Sequence, residues 1–339
     1  MPKQASTNKA GRGSNHDSGY KLLYSHVRMV RDLLQGFVPG AWVGELALDT
    51  LEKCSGSYVT DDLRDRADDL IWRVRWGDDW LYIYLLLEFQ STVDAWMAVR
   101  IQTYLGLLYQ DLIRGEQLSA SGRLPPVLPL VLYNGAQAWD APLALEPLLE
   151  PAPSLLTAYR PQQGYLLIDE RRAAERGALP ERNLSAALFR LEASHGPAEV
   201  MQIVLALLDW LKAPEQASLR RAFAVWFGRV FLPRRLPGIT LEPLTDLFEV
   251  HHMLSEHVDS WTDQWKREGL EQGLEQGRQM TRHLLCRQAR RRFGPKIAAE
   301  AEPLLTTITD LQQLEELGDL LLSSPDGPAW LQALRQAQT

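Results

Sequence analysis

From Gly19 to about Gly36, apolar residues recur at near-helical spacing: Leu22, Leu23, His26, Val27, Val30, Leu33 and Leu34. This predicts a first helix closed by Gly36 and Pro39. Ala41–Leu51 is a short apolar run, a strand or a helical turn, and Ser55–Arg66 is polar and acidic, as a loop would be. The period then changes to two. Leu70, Trp72, Val74 and Trp76 fall on one side of Asp69–Trp76, with Ile71, Arg73 and Arg75 on the other. Gly77-Asp78-Asp79 makes a turn and Trp80–Gln90 returns, rich in aromatic and β-branched residues, so an antiparallel hairpin is the economical reading. Antiparallel pairing brings Asp69, which opens one strand, and Glu88, which closes the other, to the same end of the sheet. A register slip of one residue would break that pairing. Glu88 and Gln90 share parity, so the acid and the amide point together.

Ser91–Asp94 offers helix caps, and Trp96–Arg114 is helical, with Ile101, Leu105, Leu108 and Leu112 in its apolar stripe. Val127–Leu132, between Pro125-Pro126 and Asn134-Gly135, reads as a buried strand. Gly164–Ile168 adds another before the charged stretch Asp169–Glu175. The succession is therefore helix, hairpin, helix, strand. From Leu184 to Phe231 the pattern is mainly helical, broken near Pro214, with Trp210, Phe223, Trp226 and Phe231 as core residues. A boundary falls at Arg234–Pro243, and a helical region covers 244–334. Within it, Gly269, Gly273 and Gly277 recur at four-residue intervals among Glu and Gln, which suits an exposed or self-associating helix. Arg282 to Lys296 carries Arg282, Arg287, Arg290, Arg291, Arg292 and Lys296 without an acid: either a basic solvated face or a patch that tracks phosphates.

Composition narrows the class without changing this layout. With 339 residues, 45% hydrophobic and 23% charged, the chain can bury a sizeable core. No run of about 18 uncharged apolar residues occurs, and Met1–Gly19 is polar, so a cytoplasmic protein with no membrane association is expected. Cys54 and Cys286 lie far apart without companions, which suggests neither a disulfide framework nor a zinc site. The formal net charge of -7 argues weakly against a nucleic-acid coat protein, although local charge decides whether one face contacts DNA.

Two carboxylates converging at a strand end can bind a hard ion such as Mg²⁺, which activates water and stabilises charge on a phosphoryl transition state. Acids also flank strands simply for solubility, so the spacing alone leaves both roles open. Asp68 could substitute for Asp69 as a ligand.

Several blocks in succession carry a resemblance: Asp69-Leu-Ile-Trp-Arg-Val, Tyr84-Leu-Leu-Leu-Glu88-Phe-Gln90-Ser91, Trp96-Met97-Ala98-Val99-Arg100 with Tyr104, and Leu128-Pro-Leu-Val-Leu-Tyr133-Asn134-Gly135. With His16-Asp17 and Lys21-Leu22-Leu23-Tyr24, they resemble the bacterial recombination-promoting nucleases, a family also labelled as transposases, over about residues 14–230. That family is similar to the PD-(D/E)xK nucleases. The resemblance implies an α/β fold: a restriction-endonuclease-like core with a mixed central sheet flanked by helices, over 16–233, after a flexible 1–15 and before the helical C-terminal region. It implies Asp69 and Glu88 as ligands of Mg²⁺, with the Phe89 carbonyl as a third, and places Gln90 where the superfamily usually has lysine. Glutamine can orient water or phosphate but supplies no positive charge. Asp17 is either an additional acid from the first helix or a helix cap. Lys21 and Arg100 would meet phosphates, Gln102 and Tyr104 would line the cleft, and Arg287 and Arg291 would add DNA contacts from the basic run. The implied activity is metal-dependent DNA cleavage in recombination or mobile-element biology. The alternative is a catalytically weak or inactive DNA-binding or protein-interaction module on the same fold. The C-terminal part resembles the tail attached to such proteins, suited to homo-oligomerisation or DNA positioning.

Overall fold

A computed structural model of the chain describes residues 18–54, 69–88, 93–135, 137–151, 153–175, 179–194, 196–235, 243–256 and 258–336. It divides into two compact units, Met1–Val258 and Asp259–Thr339. Among the described residues no helix is long and apolar enough to cross a membrane.

The first unit is a mixed five-stranded sheet flanked by helices, as the resemblance implied. A helical segment over residues 18–23 gives way at Tyr24–His26 to α1 (Val27–Phe37). The expected single helix is thus two, because His26 is extended (φ -97°, ψ 130°) and starts the second. The run after it holds both of the anticipated forms, a 3₁₀ turn Ala41–Glu45 and then β1 (Leu46–Lys53). β2 (Asp69–Trp76) and β3 (Asp79–Glu88) form the hairpin. Trp76 pairs with Asp79, leaving a two-residue loop whose Gly77 sits at φ +61°, the left-handed geometry that matches strand twist. α2 (Met97–Arg114) crosses over to β4 (Val127–Tyr133), which runs parallel to β3, and β5 (Leu166–Asp169) runs parallel to β4.

The strand order is β1-β2-β3-β4-β5. At the β1 edge the register shifts between Ala47 and Glu52: Arg31 Nη2 takes the Leu48 carbonyl at 3.0 Å and Thr50 Oγ1 accepts from Arg75 N at 2.9 Å. Both faces of the central strands are buried, which is why Leu81–Leu87 is an unbroken apolar run. On one face Ile71, Tyr84, Leu86 and Val131 meet Met97, Ala98, Ile101, Leu105 and Leu108 of α2.

Glu170–Glu175, in the charged stretch after β5, is helical (α3). α4 (Leu184–Ala193), α5 (Pro197–Trp210) and α6 (Ala217–Trp226) follow, the last widening through a π turn at Phe227–Phe231 into Leu232–Arg235. Asn183 caps α4 through Ala186 N and donates to the Asp32 carbonyl, tying α4 to α1. Phe223, Trp226 and Phe231 are core residues, whereas Trp210 is half-buried. α7 (Leu247–Glu256) packs on α5 and α6 inside the first unit, so the division falls downstream of the Arg234–Pro243 stretch where composition placed it.

The second unit contains the long α8 (Val258–Phe293), α9 (Pro295–Thr307), α10 (Leu311–Ser323) and α11 (Gly327–Gln336) around its own core of Leu285, Ala289, Leu305, Leu317, Leu321 and Trp330.

Candidate active site

The topology gathers five strand ends at one end of the sheet. β1, β3, β4 and β5 finish there, at Lys53, Glu88, Tyr133 and Asp169, and β2 begins there at Asp69. The register pairs Asp69 with Leu86, so position 88 is the next on the same parity and lies diagonally across the hairpin. Diagonal positions of an antiparallel pair are about 7–8 Å apart. Ile71, Tyr84 and Leu86, the next positions of that parity along the two strands, pack on α2. Parallel strands of open α/β sheets present ligand sites beyond their carboxyl ends, and β3 and β4 are such a pair.

Two carboxylates and a backbone carbonyl form an oxygen-only donor set, which suits a hard cation such as Mg²⁺. Among the described residues no group of three or more His, Cys, Asp or Glu gathers to hold a metal. Asp17, Asp68, Phe89 and Gln90 lie outside the described residues, and so do the side chains of Asp69 and Glu88.

Arg100 sits in the first turn of α2. Its Nη1 reaches Asp94 Oδ2 at 2.9 Å and its Nε donates to Tyr104 Oη at 3.2 Å. Tyr104 belongs to the core, its ring 5.7 Å from that of Tyr84, and Arg100 addresses its hydroxyl. Gln102, two residues along α2 from Arg100, is exposed.

Lys21 follows Tyr20 in the N-terminal helical segment, and its carbonyl accepts from Ser25 Oγ at 2.6 Å. Ser25 Oγ in turn accepts from Lys53 Nζ at 2.8 Å. Burial and the neighbouring Lys21 charge hold the Lys53 amine below its usual range, and burial and then Lys53 depress His26. Lys21 and Lys53 thus form a cationic pair at the end of β1, beside the strand that opens with Asp69, with the largely neutral His26 imidazole next to them. The sequence reading named Lys21 and missed Lys53 and His26. The strand-ending position of Lys53 was the available signal, and the contact with Ser25 spans 28 residues.

Residues 14–220 match the family described as "Putative transposase, YhgA-like". The chain belongs to this YhgA-like family. Over 124 residues it is 32% identical to the recombination-promoting nuclease RpnA of Escherichia coli K12, covering 36% of this chain and 41% of that protein. It is 30% identical over 123 residues to the recombination-promoting nuclease RpnD of Escherichia coli O157:H7, covering 36% and 46%. A third relative, 30% identical over 122 residues and covering 36% and 40%, is the inactive recombination-promoting nuclease-like protein RpnE of Escherichia coli K12. The matched stretches thus span less than half the length of these curated relatives. No solved structure matches the chain.

The YhgA-like match takes in the whole sheet and α2, and ends before the second unit. In that unit the six basic residues of the Arg282–Lys296 run have different jobs. Arg282 Nη2 donates to the Ile308 carbonyl at 2.6 Å, at the C-terminus of α9, and its Nη1 lies 3.4 Å from Glu275. Arg292 donates to the carbonyls of Leu321 and Ser324, the latter at 2.8 Å, at the C-terminus of α10. These two guanidiniums close helix ends, where cations are favoured. Arg287 and Arg291, the two named as DNA contacts, are exposed.

Proposed function

We propose that this chain acts on DNA at the end of the sheet where β3 and β4 finish, and that Asp69 and Glu88 hold one divalent cation, Mg²⁺ first among them, for phosphodiester hydrolysis. The observation that carries the reading is the register: an acid opening β2 and an acid closing β3 fall diagonally across one hairpin. A bound Mg²⁺ would lower the pKa of an attacking water and offset charge on the phosphoryl oxygens. The chain's own part is positional. The Phe89 carbonyl would complete the donor set, and Gln90 would orient water or a phosphate oxygen by hydrogen bonding. Asp17 would add an acid from the N-terminal helix. Lys21 and Lys53, with Arg100 at the start of α2, would neutralise backbone phosphates on approach, and Arg287 and Arg291 would meet phosphates separately, within the second unit. The relatives' names support a link to recombination, and work in the cytoplasm belongs to the same proposal. Self-association through the Gly269–Gly277 helix belongs to the same proposal and is measured by analytical ultracentrifugation.

A second reading is favoured by specific observations: a DNA-binding module on a nuclease fold with weak or no cleavage. Gln90 stands where a lysine usually does, and one relative is named inactive. The binding half has the fuller support, because Lys21 and Lys53 are neighbours in space while hydrolysis rests on register. Incubating the full chain with supercoiled plasmid and Mg²⁺ separates the two. Cutting that disappears in Asp69→Ala and Glu88→Ala, with circular dichroism and DNA affinity retained, supports hydrolysis. Cutting that persists in both variants overturns the assigned site. Salt-dependent binding without cleavage under any divalent metal selects the second reading.

A further inference from the structure

Behind the strand ends lies a buried polar knot. Tyr20 is fully buried, with its ring 6.4 Å from Tyr24 and edge-on to Trp226 at 6.1 Å. Its Oη is 3.0 Å from Glu170 Oε2 and 3.0 Å from Glu192 Oε1, and accepts from Asn134 Nδ2 at 2.6 Å. Asn134 directly follows β4, Glu170 directly follows β5, and Glu192 is near the end of α4, so one phenol joins the N-terminal helix to three other elements. The helix is also seated closely at Gly19, where a Cβ would meet Val230 Cγ2 at 2.6 Å.

Counting protons decides the charge state of this knot. A phenol has one proton and can give it to one carboxylate only. Were both acids ionised, the other 3.0 Å contact would set a lone pair against a bare carboxylate oxygen in a buried site. Arg234 Nη1 lies 3.4 Å from the other oxygen of Glu192, which favours the negative charge there. Glu170 is 1% exposed, and its Oε1 is buried without a hydrogen-bond partner, a position far less costly for a neutral acid than for an anion. Burial and then the Glu192 charge push the Glu170 carboxyl well above the ordinary glutamate range. Asp169 acts in the same direction, while the Tyr20 hydrogen bond and Arg234 oppose it; Tyr24 is the other titratable neighbour.

We propose that Glu170 is a neutral acid in the folded chain, donating its proton to Tyr20 Oη while Tyr20 donates to Glu192, and that Tyr20, Asn134 and Glu170 are thereby positioning residues that fasten the N-terminal helix, with Lys21 on it, to the DNA-acting end of the sheet. The proton count is independent of the function proposed above; only the purpose of the fastening rests on it. A carboxyl raised on folding binds its proton more tightly in the folded than in the unfolded chain, so its contribution falls as pH climbs above the ordinary value of 4.5.

Two variants of the full chain test this. Glu170→Gln keeps a neutral donor of the same shape. Its thermal midpoint should equal the native one near about pH 5 and exceed it near about pH 8, with a flatter pH dependence between. A lower midpoint at the higher pH, or an unchanged slope, overturns the neutral acid. Tyr20→Phe removes the shared hydroxyl. Amide exchange over residues 18–26 should speed up by roughly ten-fold or more while exchange in the second unit stays as it was, and affinity for a short DNA duplex should fall. Faster exchange with unchanged DNA affinity overturns the positioning role. If the native chain neither binds nor cuts DNA, the function proposed above fails and with it that purpose, and the melting arm still decides the proton.

Discussion

Replacing Arg292 with alanine should damage the fold of the second unit and leave DNA contact untouched. The side chain donates to the carbonyls of Leu321 and Ser324 and lies over the Phe293 ring at 5.0 Å. Hydrogen bonds from a charged donor contribute roughly 1.5–3 kcal/mol each when well shielded. This side chain is largely exposed, so about 2 kcal/mol for the pair, helix-dipole term included, is a fair discount. In a unit of this length such a loss lowers the midpoint by roughly 8–16 °C. Arg282→Ala should act similarly through the Ile308 carbonyl. The exposed pair Arg287→Ala/Arg291→Ala should do the reverse: an unchanged midpoint, and a salt dependence of DNA affinity shallower by about 1.8 in log–log slope, at about 0.9 per phosphate contact. Differential scanning calorimetry and a salt series of fluorescence-anisotropy titrations read both quantities. An unaltered calorimetric transition in Arg292→Ala, with a slope reduced by about one, would refute the division of labour between these arginines.

Lys53→Ala should weaken DNA binding with a slope shallower by about 0.9 and little change in stability, since the ammonium's bond to the Ser25 hydroxyl is exposed to solvent; anisotropy at several salt concentrations checks it. Cys54, whose thiol burial pushes up to about 11, should carry on the order of one thiolate in ten thousand near about pH 7 and one in a thousand near about pH 8. Its alkylation by iodoacetamide, followed by peptide mass spectrometry, should therefore climb steeply as the pH nears that value. A rate already at its plateau near neutrality would contradict the buried setting.

The hairpin was the most legible part of the chain because its code is local. Alternation over Asp69–Trp76, a glycine suited to positive φ at Gly77 and the return through Trp80 specify the pairing, and the parity of Asp69 and Glu88 follows by counting. The break at Tyr24–His26 was not legible, since Leu22, Leu23, Val27 and Val30 keep helical period across it while the backbone at His26 extends. Glu170 was hidden for a different reason. It sits in a charged stretch that reads as surface, and only Tyr20, 150 residues upstream, reveals that it is buried. The basic run misled in the same way: composition counts six cations, but two of them are engaged by carbonyls at the ends of α9 and α10.

An open sheet always has two borders, and here both discourage recruitment of further strands. β5 offers four residues, and β1 departs from regular pairing between Ala47 and Glu52, where Arg31 occupies the Leu48 carbonyl and Asp49 and Glu52 add charge. A chain built this way resists amyloid-like stacking even though its interior strands are among the most apolar segments it has. Concentrated solutions should therefore yield, if anything, helix-mediated dimers that dissociate on dilution, and fibrils that bind thioflavin should be absent.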